Sequence, residues 1–324
     1  MLVYIIRRLG QSALVIATMA VLVFGSMYAV GDPLDILVPQ DATPAERDMI
    51  ASHLGLDKGL AEQFGIFVTN AARGDLGSSF VFGRPAVDVI LERLPATLEL
   101  AFSALLLCFV VGVPMGIYAG LYPKSPLSRM MMGSTVLGFS LPNFWIGLML
   151  ILLFSVELRW LPAGGRGPVS SIFGFETALT SWDGVKYLIL PAVVMSLYNI
   201  ALTARLVRAG TQETMRNEYI RFARAKGLSR RRVIGVHLLK NIMIPVVTVL
   251  GLELGTMIAF AVVTESVFAY PGIGKLLIDS IMRLDRPVIV AYLMMTVLLF
   301  VMINLVVDLA YAALDPRVRI GASK

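Results

Sequence analysis

Six stretches of this chain, 9–30, 97–122, 130–156, 186–208, 242–264 and 287–311, are long enough and apolar enough to cross a lipid bilayer. About 20 mostly apolar residues are needed, because a helix rising about 1.5 Å per residue must cover about 30 Å of hydrocarbon. The rest of the composition agrees. Only 15% of the residues are charged and the mean hydropathy is +0.79, whereas a soluble domain carries roughly a quarter charged residues. The expected fold class is therefore all-α integral membrane, with six transmembrane helices.

Charge sets the expected orientation. The net charge of +6 is not spread over a polar surface but sits between the apolar segments, which argues against nucleic acid as a partner and for topology in a bilayer. Arg7 and Arg8 precede the first span, Lys124 and Arg129 lie in the turn after the second, and Arg317, Arg319 and Lys324 close the chain. Residues 205–240 carry ten Lys/Arg against two acids, Glu213 and Glu218, while residues 31–96 carry five basic and ten acidic residues. Cytoplasmic loops are the basic ones, so both termini are expected inside. The first apolar run continues to Val30 without a good cleavage site, so it reads as an uncleaved anchor rather than a signal peptide. The division that follows is 1–30 as N-terminal segment and first span, 31–96 as an external cap, and 97–324 as the core. The core includes an internal loop at about 209–240 and contact with membrane lipid.

The cap reads as amphipathic pieces. One helix is expected to start at Thr43 with Pro44 in its first turn and to stop at Gly55; another covers "GRPAVDVILERLPATLEL". His53, within the cap, has no second His or Cys nearby, and Cys108, the single cysteine, has no partner for a disulfide or a zinc site. Glycines recur at every fourth position in "GVPMGIYAG" (Gly112, Gly116, Gly120) and "GLELG" (Gly251, Gly255), a spacing that lets membrane helices approach closely. Pro114, Pro142, Pro191 and Pro245 predict irregular helices. No catalytic motif is present. "YPGIGKLL" fails as a phosphate loop, since Leu276 follows Lys275 and position 269 is Ala269.

The internal loop reads as a short helix, Glu218 to Lys226, with Asn217 as N-cap, then a left-handed corner at Gly227, then a second helix capped by Ser229 and opened by Arg230, Arg231 and Arg232. Tyr219, Phe222, Ala223 and Lys226 are expected on one side, and the small Ala223 and Ala225 would let a partner approach. A helix this short is marginal alone, so either the bundle or a bound protein must hold it. A basic loop lying on anionic headgroups is the plain physical alternative. His237 is expected to bond locally.

This loop resembles the cytoplasmic coupling loop (EAA loop) of ABC importer permeases, in the form found in the dipeptide/oligopeptide permease family. The resemblance rests on "EYIRFARAKGLSRRRV", His237, Asn241 and "PVVTVLG". It extends through "IIRRLG", "GDP" at 31–33, "GDLGSS" at 74–79, "LPATLEL" at 94–100, "LPAGG" at 161–165, "LPA" at 190–192, "ESVFAYPGIGKLLIDSI" at 265–281 and "NLVVDLAYAALDPRVR" at 304–319. Arg221-Phe222-Ala223 stands where the wider superfamily has Glu-Ala-Ala, Pro245 lies further downstream, and Glu253 stands where Gln is more usual. The resemblance implies the type I importer permease fold in a bacterial inner membrane, as the B-type member of a permease pair. It implies as partners a second homologous permease subunit, two cytoplasmic ATPases that bind ATP and Mg, and an extracytoplasmic solute-binding protein. No cofactor belongs to this chain. Glu218, Tyr219, Phe222, Ala223, Ala225, Lys226, Gly227 and Leu228 would contact the ATPase.

Intramembrane polar residues are rare and functional by default, which makes Asn143, Asn199, Glu253, Asn304 and Asp308 pathway candidates. Asn143, after Pro142, has the simpler role of capping a broken helix. Glu253 is either fixed between helices or lines the pathway, where it would attract a peptide ammonium group. Import of a nickel chelate or glutathione by the same architecture, an intramembrane enzyme and an ion channel are the other functions open to such a chain.

Overall fold

The computed structural model describes residues 2–29, 58–172 and 174–314, with positions 43, 45, 49 and 52. The expected helix from Thr43 to Gly55, His53, "GDP" and the tail carrying Arg317, Arg319 and Lys324 therefore lie wholly or mainly outside the described residues. The chain forms two compact units, Met1–Glu92 with Leu276–Val301, and Arg93–Lys275 with Met302–Lys324.

In the first unit, α1 (Leu2–Ala29) meets α2 (Leu60–Ala72), and the Phe24 ring packs edge-on to Phe64 at 5.3 Å and against Phe67 at 5.8 Å. The chain then turns through Ser78–Pro85 into α3 (Ala86–Leu107). Asp285, fully buried, organises that turn. Its carboxylate accepts the Ser79 hydroxyl and the amides of Phe80 (3.1 Å) and Val81 (3.3 Å).

In the second unit, α3 passes through a π-helical stretch, Cys108–Gly112, into α4 (Val113–Leu121). The helix α5 (Pro126–Ser140) follows, and then α6 (Asn143–Leu150), which runs into a second π stretch, Ile151–Glu157. A small hairpin, β1 (Ser170–Ile172) and β2 (Phe175–Thr177), leads to α7 (Trp182–Thr214), capped by the Ser181 hydroxyl. The internal loop holds α8 (Glu218–Ala225) and the short α9 (Arg230–Arg232), which continues through π-helical Val233–Leu238 into α10 (Leu239–Ala259). The remaining helices are α11 (Ala261–Val267), α12 (Ile273–Met282) and α13 (Arg286–Leu314); α12 and α13 run from one unit into the other.

The glycine stripe does what its spacing predicts. Gly112, Gly116 and Gly120 face Thr203, Val207 and Thr211, one turn apart on α7, and a Cβ on Gly116 would lie 2.6 Å from both the Ala204 carbonyl oxygen and Val207 Cβ. Only bare backbone fits there. Gly251 likewise faces Val307.

Among the described residues, five helical stretches are long and apolar enough to cross a bilayer: Ile6–Ser26, Ala86–Leu121, Trp182–Thr214, Arg230–Ala259 and Arg286–Leu309. The third expected span, 130–156, is not one helix but two, α5 and α6, separated at Leu141 and Pro142. Proline has no N–H for the ladder and pushes the residue before it out of the helical region; Pro142 itself is extended, with ψ 133°.

Candidate functional site

Helix α8 is held from one side only. Ile220 and Ala223 are buried against Val233, with Met215 and Leu228 around them. The bundle thus anchors the short helix, and Ala223, three residues after Ile220 on the same face, goes inward with it. This corrects the expected grouping: Ala223 serves internal packing, while Tyr219, Phe222, Ala225 and Lys226 are exposed. Phe222 is 63% exposed and carries Lys226 Nζ 4.6 Å from its ring centroid. The Tyr219 hydroxyl contacts Asn241 Nδ2, which also donates to the His237 carbonyl at 3.0 Å. Glu218 pairs with Arg221 at 2.7 Å in full solvent.

The corner forms as read. Gly227 has φ +79°, its N–H bonds Arg224 O (2.9 Å), and Leu228 N–H bonds Ala223 O (3.3 Å). This pair of bonds satisfies the last carbonyls of a helix only when the residue between them is left-handed. Ser229 caps the next helix by accepting from Arg232 N. Asn217 occupies the N-cap position with extended backbone, but its side chain makes no cap bond; its carbonyl alone accepts, from Ile220 N at 3.1 Å.

The five intramembrane candidates are dispersed. Asn143 is exposed at the first turn of α6, and no side-chain cap bond is made there, so it does not cap the break. Asn199 is 4% exposed, and its Oδ1 has no partner among the described residues; the same holds for Asn304 Oδ1. Glu253 is half-buried and accepts from Thr256 Oγ1 at 2.9 Å, a bond within its own helix. Asp308 is half-buried on α13.

A second cluster was not singled out from sequence, although its residues lie in or beside the quoted motifs. Glu99 of "LPATLEL" is buried and paired with Arg166, just after "LPAGG", at 2.8 Å, with both side chains under 10% exposed. Glu99 also accepts from Thr177 Oγ1 (2.8 Å), Ala178 N (2.6 Å) and Tyr270 OH (3.2 Å). Two residues earlier, Thr97 donates to Glu265 at 2.6 Å and accepts from Ile273 N at 2.9 Å, while the other Glu265 oxygen accepts from Lys275 N at 2.9 Å. Thr97 and Glu265 thus cap α12 from outside its own chain segment. Gly272 is obligatory there, since a Cβ would collide with both of them. The "YPGIGKLL" glycines therefore serve a helix cap and not a phosphate. Burial pushes the Glu265 carboxyl above the ordinary carboxylate range, against the Thr97 and backbone hydrogen bonds, and pushes the Tyr270 hydroxyl up as well. A usable signal was there to read: polar residues at the outer end of a span, next to Pro- and Gly-rich turns.

Residues 112–320 match the family described as binding-protein-dependent transport system inner membrane component, and residues 1–101 match the N-terminal model of such membrane components. The di/tripeptide transport system permease protein DppB of Pseudomonas aeruginosa is 39% identical, covering 98% of this chain and 99% of the relative. The dipeptide transport system permease protein DppB of Escherichia coli is 36% identical, again over 98% and 99%. The oligopeptide transport system permease protein AppB of Bacillus subtilis is 35% identical over 98% and 99%. Among solved structures, the MetNI methionine ABC transporter in inward-facing conformations gives a TM-score of 0.55 at 17% identity, over 70% of this chain and 96% of that one. At that identity the likeness speaks for the fold alone.

Proposed function

Because the chain belongs to the family of binding-protein-dependent transport system inner membrane components, and is thus a multi-pass permease subunit of an ABC importer, we propose that it imports di- and oligopeptides. In this reading it forms half of a translocation pathway completed by a second homologous permease subunit. Two cytoplasmic ATPases bind the ATP and Mg, and a solute-binding protein delivers the peptide. The observation that carries the substrate class is near-full-length identity of 35–39% to permeases named for dipeptide, di/tripeptide and oligopeptide transport. The exposed face Tyr219, Phe222, Lys226 of α8 is the surface offered to an ATPase. It is anchored behind by Ile220 and Ala223 and terminated by the Gly227 corner, so a push on it reaches α10 through the Tyr219–Asn241 contact.

The test is uptake of labelled dipeptide into vesicles containing the assembled transporter and its binding protein, with ATP inside or outside. Uptake that needs both ATP and the binding protein is expected. Passive, ATP-independent flux would identify a channel instead, and uptake of a nickel chelate or glutathione in preference to peptide would reassign the substrate.

A further inference from the structure

Helix α10 presents two unlike faces. Leu250, Leu254 and Ile258 are buried in the second unit, while Leu252 is exposed and Thr256 half-buried on the other side. Glu253 lies at the border, half-buried, beside Leu252 and one turn before Thr256. The helix belongs to a stretch, Arg230–Ala259, that is long and apolar enough to cross a bilayer, and Glu253 sits deep in it. The apolar run opens at Ile242, just after the exposed Lys240 and Asn241, and α10 is continuous from there to Glu253. That stretch is about 16 Å at 1.5 Å per residue, close to half of the roughly 30 Å of hydrocarbon. A carboxylate at that depth needs water, a counter-charge or a proton.

The fold leaves this acid open where it closes others. Glu99 is buried under a guanidinium, a hydroxyl, an amide and a phenol, and Glu265 under the Thr97 hydroxyl and the Lys275 amide. Glu253 receives a single donor, Thr256 Oγ1, at 2.9 Å from Oε2, and that hydroxyl is shared with the Glu253 carbonyl at 2.7 Å. Among the described residues Glu253 makes no ion pair, and its Oε1 accepts no hydrogen bond. A carboxylate offers about four acceptor sites, so most of its capacity is unused. A residue that fixed α10 to a neighbouring helix would be bonded to that neighbour, whereas Glu253 is bonded within its own helix. Its half-open side therefore turns to water, the medium in which an intramembrane acid stands when no cation pairs with it.

We infer that Glu253 lines the translocation pathway and attracts the ammonium groups of the passing peptide, which gives the importer a preference for peptides with a basic side chain. A fixed charge in a watery passage with apolar walls concentrates ions of the opposite sign. Leu252 and Val249, on the same open side of α10, supply such walls without a competing charge. The inference rests on the importer reading above and assigns a charge selectivity to one residue of it.

Competition between two labelled dipeptides tests it, in vesicles that hold the assembled transporter and its binding protein. Alanyl-lysine and alanyl-alanine are imported together, and the ratio of the two is compared between variants. Glu253→Gln is expected to lower the lysine-to-alanine peptide ratio about fivefold, the factor that attraction between unit charges about 4 Å apart carries in water. Glu253→Asp is expected to keep the parent ratio. The ratio is read within one preparation, so a lower yield of assembled variant does not move it. Equal ratios for the parent and Glu253→Gln overturn the inference and leave peptide import standing; a parent that imports neither peptide removes the importer reading and this role with it. A second measurement needs no variant. A water-soluble carbodiimide with glycine methyl ester, added to the parent transporter during ATP-driven turnover, is expected to modify Glu253, as read by mass spectrometry. Modification by lipid-soluble dicyclohexylcarbodiimide alone, or by neither reagent, would put Glu253 against lipid or against a partner's cation and overturn the inference.

Discussion

At the scale of single residues, Glu99 is a heavily bonded buried acid, with Arg166, Thr177, Ala178 and Tyr270 all donating to it. Removing one partner of a buried pair strands the other charge, which is worth about 3–5 kcal/mol. Arg166→Ala is therefore expected to lower the thermal midpoint of the purified transporter sharply and to reduce its yield as an intact complex. Glu99→Gln together with Arg166→Met removes both charges, keeps an acceptor for Thr177 and Ala178, and should recover most of that loss. Equal midpoints for the parent and Arg166→Ala would show that the pair does not hold the outer loop. At the inner corner the contrast is with Gly227. A Cβ there would touch nothing within 4 Å, yet φ is +79°, so Gly227→Val acts through backbone conformation alone. The expected result is an assembled complex whose ATP hydrolysis no longer drives uptake, read as the ratio of peptide imported to ATP hydrolysed.

At the scale of elements, the contact of α4 with α7 rests on a stripe with no room for a methyl group. Adding one to a packed seam costs typically about 1–3 kcal/mol. Gly116→Ala should lower the thermal midpoint, whereas Gly133→Ala, on α5, where a Cβ meets nothing within 4 Å, should be silent. Equal midpoints for the two would mean that the seam can open freely. This stripe was legible beforehand because its signal is local: three glycines at four-residue spacing define one face of one helix. The left-handed Gly227, the Ser229 cap and the long apolar helices of five of the six expected spans were legible for the same reason. The inward turn of Ala223 was not, because four- and three-residue spacing leaves the phase of an eight-residue helix open until Ile220 is known to be buried. The outer cluster was illegible for a different reason. Thr97 and Glu265 are 168 residues apart and Glu99 and Tyr270 are 171 apart, and nothing in either string specifies its partner. The motifs could be quoted, but their meeting point could not.

At the scale of the whole molecule, the alternation of charge predicts that the β1–β2 hairpin faces outward and the α8–α9 loop inward. After replacement of Cys108, a cysteine at Ser171 should react with an impermeant maleimide added to intact cells, and one at Ser229 only after the membrane is opened; both positions are exposed. Labelling of the Ser229 position from outside would invert the arrangement. The interruption between α5 and α6 has a further consequence for how the subunit is turned. It falls midway through the third expected span, where the amides opening α6 and the carbonyls closing α5 have lost their helical partners. Hydrocarbon cannot satisfy them. Leu141, Pro142, Asn143 and Phe144 nonetheless lie on the surface of the single chain, so this flank is expected to face another subunit or water rather than lipid. If that span crosses the bilayer, one proline thereby acts as a compass: it marks the side of the span that is expected to be kept from the lipid.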